Sequence, residues 1–364
     1  MKMAIVHDAF LHVGGAEKVF LELVKIYPDA DLYIPIINKN LKKKIENETK
    51  GAIYTTFISD WSFFYKQASL LKPFLIFYWE KLNLSKYDLV ISSSHSFNSK
   101  LVNVSKKSVH ISYVYTPPRY LSTQFNEVQI LNNPIINFLF SPLLSWLKKK
   151  DYESGKKPDL LIGISKEVQN RITNRYKIGS LLIYPPVDLS SKITKNNDGK
   201  YYLFFSRLVK QKGAELAVKT CTKLNLPLMV VGEGPELKKL KAIAGPTVTF
   251  KGFVEGEKLE KIFTNTKALI NCAIEEDFGM VTIEVASRGI PTIGFSSGGL
   301  LETIMDQKTG LFFHQHTVES LTEAINKFEQ MKFNKLVCHN YAKKFSDERF
   351  AKQIKAIINY YVKN

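Results

Sequence analysis

Along all 364 residues of this chain, apolar runs of strand length alternate with helix-length amphipathic segments, and that alternation constrains the fold most tightly. In the first half the strand-like runs are 3–7, 32–35, 52–54, 89–92, 109–115, 160–164 and 181–184. In the second half they are 202–206, 228–232, 248–250, 268–271 and 292–295. Where clearest, these runs are continuous and β-branched, as expected of parallel strands buried on both faces. The order predicts an α/β fold, repeated twice. Between the halves, residues 185–200 (PPVDLSSKITKNNDGK) carry few large apolar side chains and read as an interdomain linker. Two domains of doubly wound type, 1–186 and 187–344, are therefore expected, with a cleft at the carboxyl ends of both sheets where ligands of such folds bind. A chain of this length exceeds one comfortable core, which favours the same division.

With 45% hydrophobic and 23% charged residues, the composition is that of a soluble globular protein. Cys221, Cys272 and Cys338 are far apart and form no C-x-x-C pair, so they read as buried or incidental thiols of a reducing compartment. The opening MKMAIVHD has too short an apolar run for a signal peptide, and looks like a first strand. The longest apolar stretch, 135–147, is interrupted by Pro142 and falls short of the about 20 residues a bilayer span needs. The protein is expected to stay in the cell. Its net charge of +17 is carried by both halves rather than by a tail. Nucleic acid would explain that excess, and so would anionic lipid with a phosphorylated substrate, or merely a lysine-rich proteome.

The most informative stretch is 275–299, EEDFGMVTIEVASRGIPTIGFSSGG. A strand ending near Asn271 leads into an acidic loop and then a helix from about Met280 to Ser287. Glu276 lies in the loop and Glu284 on the helix, with seven residues between them. Free N–H groups at a helix start favour the anionic and hydroxyl groups of a sugar phosphate. A carboxylate one or two turns in can accept hydrogen bonds from two vicinal ribose hydroxyls. Alone, the spacing also fits an acidic first turn that complements the helix dipole. In SRLVKQKG, Arg207 and Lys212 follow the first strand of the second domain, where guanidinium and ammonium groups can grip a pyrophosphate. In VGGAEKV, Gly14 and Gly15 allow close backbone approach to a phosphate between the first strand and first helix, or simply make a tight turn.

On these motifs the chain resembles the retaining glycosyltransferases of family 4, of GT-B architecture, whose signature is E-x7-E with an E-[SD]-F-G core. HDAFLHVGGAEKV, YPDADLY, ISSSHSF, YVYTPPRYL, YPPVD, SRLVKQKG, VVGEGPE and FKGFV extend the likeness over almost the whole chain. The pairing of SSSH with TPPRY is most similar to GDP-mannose-using transferases that build O-antigen and exopolysaccharide. The resemblance implies a nucleotide-sugar donor bound without cofactor or metal, an N-terminal acceptor domain, and a C-terminal helix, 345–364, packing back on the N-terminal domain. It further implies that Arg207 and Lys212 bind the donor pyrophosphate and stabilise the departing nucleotide. Gly14 and Gly15 would close over the phosphates, and Gly232 and the Val254 backbone would flank the nucleobase. Glu276 and the Phe278–Gly279 backbone would orient the sugar, Met280 and Val281 would also bind the donor, and Glu284 would hold the ribose. His95, Arg119 and Tyr120 fall on the acceptor side. Many members of the family carry a histidine before TPPRY, and here that position is Tyr115, which can still hydrogen-bond a sugar hydroxyl. His110 is a further histidine near the same strand ends.

Asp29 and Asp31 spell D-x-D, the metal motif of another transferase architecture. Their place after the first helix reads instead as a solvated loop, and the histidines and cysteines show no metal spacing. Two aromatic-plus-lysine segments, 61–86 and 135–150, read as surfaces for anionic lipid, or else as packed interior helices. The expected reaction is hexosyl transfer, from GDP-mannose, to a lipid-linked saccharide at the cytoplasmic face of the membrane, with retained configuration. The alternatives are a UDP-sugar transferase, a sugar-nucleotide epimerase, or a basic nucleic-acid-binding protein, although no RNP, helix-turn-helix or zinc pattern is present.

Overall fold

The computed structural model describes residues 1–60, 71–95, 98–121, 134–194 and 199–363. The chain divides into two compact units, Met1–Pro186 together with Phe350–Asn364, and Val187–Arg349.

In the first unit seven parallel strands run in the order β3-β2-β1-β4-β5-β6-β7. They are β1 Met3–His7, β2 Asp31–Tyr33, β3 Ile53–Tyr54, β4 Leu89–Ser94, β5 Val109–Val114, β6 Leu160–Gly163 and β7 Leu181–Leu182. β1, β4 and β6 are buried along their whole length, which explains why their sequences read as unbroken runs rather than alternations. β1 lies between β2 and β4 with Ile5 opposite Leu32 on one side and Ile91 on the other. The strand order changes direction here, and doubly wound sheets bind ligands outside the carboxyl ends at such a point. One face packs Trp79, Leu84, Val90 and Leu101 into a core, and the first helix, Gly15–Ile26, buries Val19, Phe20, Leu23 and Val24.

The second unit holds six parallel strands in the order β10-β9-β8-β11-β12-β13. These are β8 Tyr201–Phe205, β9 Leu228–Val231, β10 Val248–Gly252, β11 Thr266–Asn271, β12 Thr292–Phe295 and β13 Gly310–Phe313. Its order reverses at β8, which pairs with β9 and β11. Strand β13 was not among the sequence expectations. GLFF is only four residues long and follows polar DQKT, so nothing in its own composition separates it from a turn.

The expected linker 185–200 is not a free connector where it is described. Val187 N donates to Phe345 O (2.9 Å), Ser190 N to Ser287 Oγ (3.0 Å), Thr194 N to Arg288 O (2.9 Å) and Lys200 N to Asn265 O (2.7 Å). Backbone hydrogen bonds, invisible in composition, fasten this polar segment to the second unit. The last helix, Asp347–Lys363, buries Phe350, Ile354 and Ile358, and the Phe350 ring meets Tyr113 edge-on at 5.6 Å. Among the described residues no helix is long and apolar enough to cross a membrane.

Candidate functional site

At the carboxyl end of β8 the chain turns sharply. Gly232 (φ 132°) crosses so close to Ser206 that a Cβ there would run into the Ser206 carbonyl, and Gly213 (φ 69°) stands equally close to Cys272 O. Only glycine fits either place. Arg207 is exposed at this turn, and one 3-10 turn, Lys210–Lys212, follows. Ile274 N donates to Gln211 O (3.0 Å), tying that turn to the acidic loop after β11. The consequence is direct. Lys212 Nζ lies 2.7 Å from both carboxylate oxygens of Glu276, in a pair whose side chains are 27% and 14% exposed. Two groups 64 residues apart in sequence meet because they follow adjacent strands at the reversal point of the sheet.

The acidic loop is held in a strained shape. Glu275 adopts a left-handed conformation (φ 54°), and its N–H donates to Ser297 Oγ (3.2 Å). Gly299 N donates to Glu276 O (2.7 Å), and a Cβ on Gly298 (φ 57°) or Gly299 would strike the Glu276 or Phe278 backbone. A non-glycine residue in this region costs roughly 1–3 kcal/mol, so the Ser297-Gly298-Gly299 clamp over-determines where Glu276 points. The stretch FSSGG carried that signal in the sequence, but no role was assigned to it. Gly279 (φ 92°) then starts the short helix Met280–Ala286, whose first N–H groups have no partner within the helix. Phe278 is buried and anchors the loop against Phe345 (5.4 Å), so its side chain is a packing group while its backbone lies in the loop. Glu284 is mostly buried one turn on, and its carbonyl accepts from Ser287 Oγ and Arg288 Nη1. Met280 and Val281 are half-buried beside it. Val254 packs its side chain against the β8–β11 face after Phe253 N has reached Glu233 Oε1 (3.4 Å).

The other sheet concentrates polar groups at its own reversal point. His7 ends β1 and Asp8 follows it, while Ser93 and Ser94 end β4 and His95 follows them. Asp8 is fully buried and accepts from His95 N (2.7 Å), His95 Nδ1 (2.9 Å) and Ser99 N (2.9 Å), so it shapes the loop after β4. His7 Nδ1 lies 2.9 Å from Ser93 Oγ, which lies 2.7 Å from the Tyr115 hydroxyl. Burial pushes the Tyr115 phenol above its ordinary range and holds the His7 imidazole down at about 4, so both are neutral at pH 7. Burial likewise lowers His110, to about 3, and its Nε2 lies 2.9 Å from Ser92 Oγ. Gly14 caps the first helix and its N–H donates to Glu17 Oε2 (3.0 Å); Gly15 is the first helical residue. Asp8, Glu17 and Ser93 were not singled out in the sequence, although HDAF, GGAEK and SSSH contain them.

Arg119 opens a 3-10 turn, Arg119–Leu121, after β5; the side chain of Tyr120 lies outside the described residues. The D-x-D reading needs correction at one position. Asp29 is exposed, but Asp31 begins β2, where its carboxylate accepts from Ala52 N (2.9 Å) and from the Tyr87 hydroxyl. It is a structural strand-end group and not part of a solvated loop. The three cysteines are buried.

Of the segment 61–86, residues 61–70 lie outside the described residues. The helix Lys72–Lys81 buries Leu75, Ile76 and Trp79 yet leaves Phe74 and Phe77 exposed. The helix Pro134–Gly155, with Pro142 inside it, exposes Phe140 and Leu143 and stacks Trp146 on Phe77 at 5.2 Å. Lys150 joins the two helices through Glu80 (2.7 Å). Each segment therefore combines a packed face with an exposed aromatic one.

Residues 188–345 match the family model of Glycosyl transferases group 1. An uncharacterized glycosyltransferase of Methanocaldococcus jannaschii is 26% identical over 181 residues, 46% of either chain. A GDP-mannose-dependent alpha-mannosyltransferase of Corynebacterium glutamicum is 31% identical over 108 residues, 30% of this chain and 26% of that protein. The chain thus spans less than half the length of these curated relatives. Among solved structures, a lipopolysaccharide outer core galactosyltransferase, WaaB, superposes with a TM-score of 0.69 at 17% identity, over 99% of both chains. HepE of Anabaena, solved with UDP and glucose, gives 0.69 at 16% identity over 99% of this chain and all of that one. These likenesses, with the two parallel sheets, place the fold as GT-B, and the chain carries a glycosyl transferases group 1 domain at residues 188–345.

Proposed function

We propose that this chain is a retaining, metal-independent glycosyltransferase of family 4 that moves a hexosyl group from a nucleotide sugar to a lipid-linked saccharide. The observation that carries the reading is the Lys212–Glu276 pair at the reversal point of the second sheet. A lysine held there beside exposed Arg207 offers two cations to a diphosphate, and the carboxylate offers acceptors to sugar hydroxyls. In the proposed reaction the bond from the anomeric carbon to the phosphate oxygen breaks, and a bond to the acceptor oxygen forms on the same face. The departing phosphate takes the acceptor's proton. Arg207 and Lys212 would stabilise the charge that develops on it, the electrostatic effect that usually contributes most. Glu276 and the Phe278–Gly279 backbone would orient the sugar, with Glu284 on the ribose.

GDP-mannose is the favoured donor, supported by the C. glutamicum relative and by the mycobacterial GDP-mannose-dependent relatives, 29% identical over 137 residues. The exposed aromatics and lysines of the first unit support work at an anionic membrane face. A panel of GDP-, UDP- and ADP-sugars, with mass detection of nucleotide release in EDTA, tests the assignment. Release from GDP-mannose above the others is expected. Preference for a UDP-sugar would replace the donor, and strict dependence on added Mn2+ or Mg2+ would overturn metal independence. No release from any nucleotide sugar, with or without a saccharide acceptor, would overturn the transferase reading.

A further inference from the structure

Three neighbouring strands of the second sheet each present one group just past their carboxyl ends. β8 leads to Arg207, β9 to Glu233 and β10 to Phe253. Glu233 is the most tightly placed of the three. Gly232 (φ 132°) and Gly234 (φ 156°) flank it, and a Cβ on either would strike the carbonyl of Ser206 or Leu208. Its own carbonyl accepts from Leu208 N (2.8 Å), which fixes its backbone beside the residue that follows Arg207. Gly232 N donates to Gly252 O (2.8 Å) and so brings the end of β10 alongside. There Phe253 N donates, at the long distance of 3.4 Å, to Glu233 Oε1. Val254 packs inward, whereas the Phe253 ring is 69% exposed. An exposed aromatic ring therefore stands next to an exposed carboxylate, one strand over from the cation turn.

Such a pair reads a flat ligand that donates hydrogen bonds. An aromatic face stacks on any nucleobase and discriminates little between them. A carboxylate only accepts, and it can take two parallel N–H bonds. Guanine carries two adjacent donors on its pairing edge, N1–H and the N2 amino group. Uracil presents one N–H between two carbonyl oxygens, which a carboxylate repels. Adenine and cytosine each present one donor beside an acceptor.

We propose that Glu233 and Phe253 select the nucleotide of the donor, the ring by stacking on the base and the carboxylate by accepting from N1–H and N2–H of guanine. This rests on the transferase reading, in which Arg207 and Lys212 take the diphosphate and the acidic loop after β11 takes the sugar. The base is then left the strand ends on the other side of β8. The end of β10 lies two strand spacings, roughly 10 Å, from that of β8. Base selection is thus carried by side chains that the diphosphate clamp does not use.

Calorimetric titration of the whole chain with GDP, IDP and UDP tests this, IDP being GDP without the N2 amino group. The wild type is expected to bind GDP about tenfold more tightly than IDP, the scale on which a base-edge bond to a charged group discriminates. UDP should bind more weakly than either. Glu233→Ala should weaken GDP about tenfold or more, close the gap between GDP and IDP, and leave UDP within about twofold. Phe253→Ala should weaken GDP and IDP alike, about tenfold, and keep the gap between them, and Phe253→Tyr should restore the loss. Both side chains are exposed, so these variants should keep the wild-type urea midpoint. Equal wild-type affinity for GDP and IDP, a gap that survives Glu233→Ala, unchanged GDP affinity in Phe253→Ala, or a preference for UDP would each overturn the proposal. All four outcomes leave the transferase reading standing. A wild type that binds no nucleoside diphosphate would overturn both.

Discussion

Lys212 Nζ is equidistant, at 2.7 Å, from the two carboxylate oxygens of Glu276, so the two charges offset each other. A diphosphate would compete for the lysine and release the carboxylate toward the sugar. Lys212→Ala should therefore lose transition-state stabilisation on the order of 2–4 kcal/mol, as removal of one preorganised donor does elsewhere. Arg207→Ala should lose a similar amount. Thermal stability should barely change in either, since Arg207 is exposed and a partly exposed ion pair contributes about 1 kcal/mol or less. Wild-type kcat/KM in both variants would remove these residues from the site.

Gly298→Ala should damage the same site from a distance. Its φ of 57° and the closeness of the Glu276 carbonyl leave no room for a methyl group. A destabilisation of roughly 1–3 kcal/mol is expected from the backbone strain. Donor affinity should fall with it, because the loop that aims Glu276 must shift. Denaturant titration with donor binding on the same samples checks this, and unchanged values for both would show that the clamp is slack.

How much of this was legible in the sequence depends on which force placed each part. The strands buried on both faces were readable because burial leaves a continuous apolar run, as in Leu228–Val231. The acidic loop was readable because Glu276, Gly279 and Glu284 stand close together in the chain. What escaped was set by long-range backbone contacts. Asp8 reaching His95, Ser297 holding Glu275 and the 187–194 segment fastened to Ser287 and Arg288 involve ordinary residue types whose partners lie far away in sequence. Asp31 was misplaced for the same reason, since its hydroxyl donor, Tyr87, comes 56 residues later.

Acid should destabilise the fold early. His7 and His110 have folded-state values of about 4 and about 3, below the ordinary 6.5, because burial disfavours their charged forms. Below pH 6.5 the unfolded chain binds protons at these sites that the folded chain does not, so stability falls as pH falls and is flat above about pH 7. The expected loss between pH 7.5 and 5 is up to about 2 kcal/mol for each histidine. Urea midpoints at pH 7.5, 6 and 5 measure it. His110→Gln should lower stability at pH 7.5 but make the slope shallower, and an unchanged slope would mean that His110 titrates normally.

The exposed aromatics of the first unit supply the last prediction. Phe74, Phe77 and Phe140 are 67%, 50% and 49% exposed, and Trp146 stacks on Phe77, so these two helices carry an apolar patch left uncovered among the described residues. Lys81 and Lys149 are exposed on the same two helices, whereas Lys150 is committed to Glu80 and Glu153. If this face rests on lipid, the protein should co-sediment with anionic vesicles and little with neutral ones. Each near-surface lysine contributes about 1 kcal/mol, screened within a Debye length of roughly 8–10 Å. Binding should weaken as salt rises but not vanish, because inserted rings keep their apolar burial. Lys148→Glu with Lys149→Glu should weaken vesicle binding and leave nucleotide-sugar hydrolysis intact, since Arg207, Lys212 and Glu276 belong to the second unit. Phe74→Ser with Phe140→Ser should remove the salt-resistant fraction. Vesicle binding untouched by both pairs of changes would make these segments packing surfaces alone, and the transferase assignment would stand without a membrane.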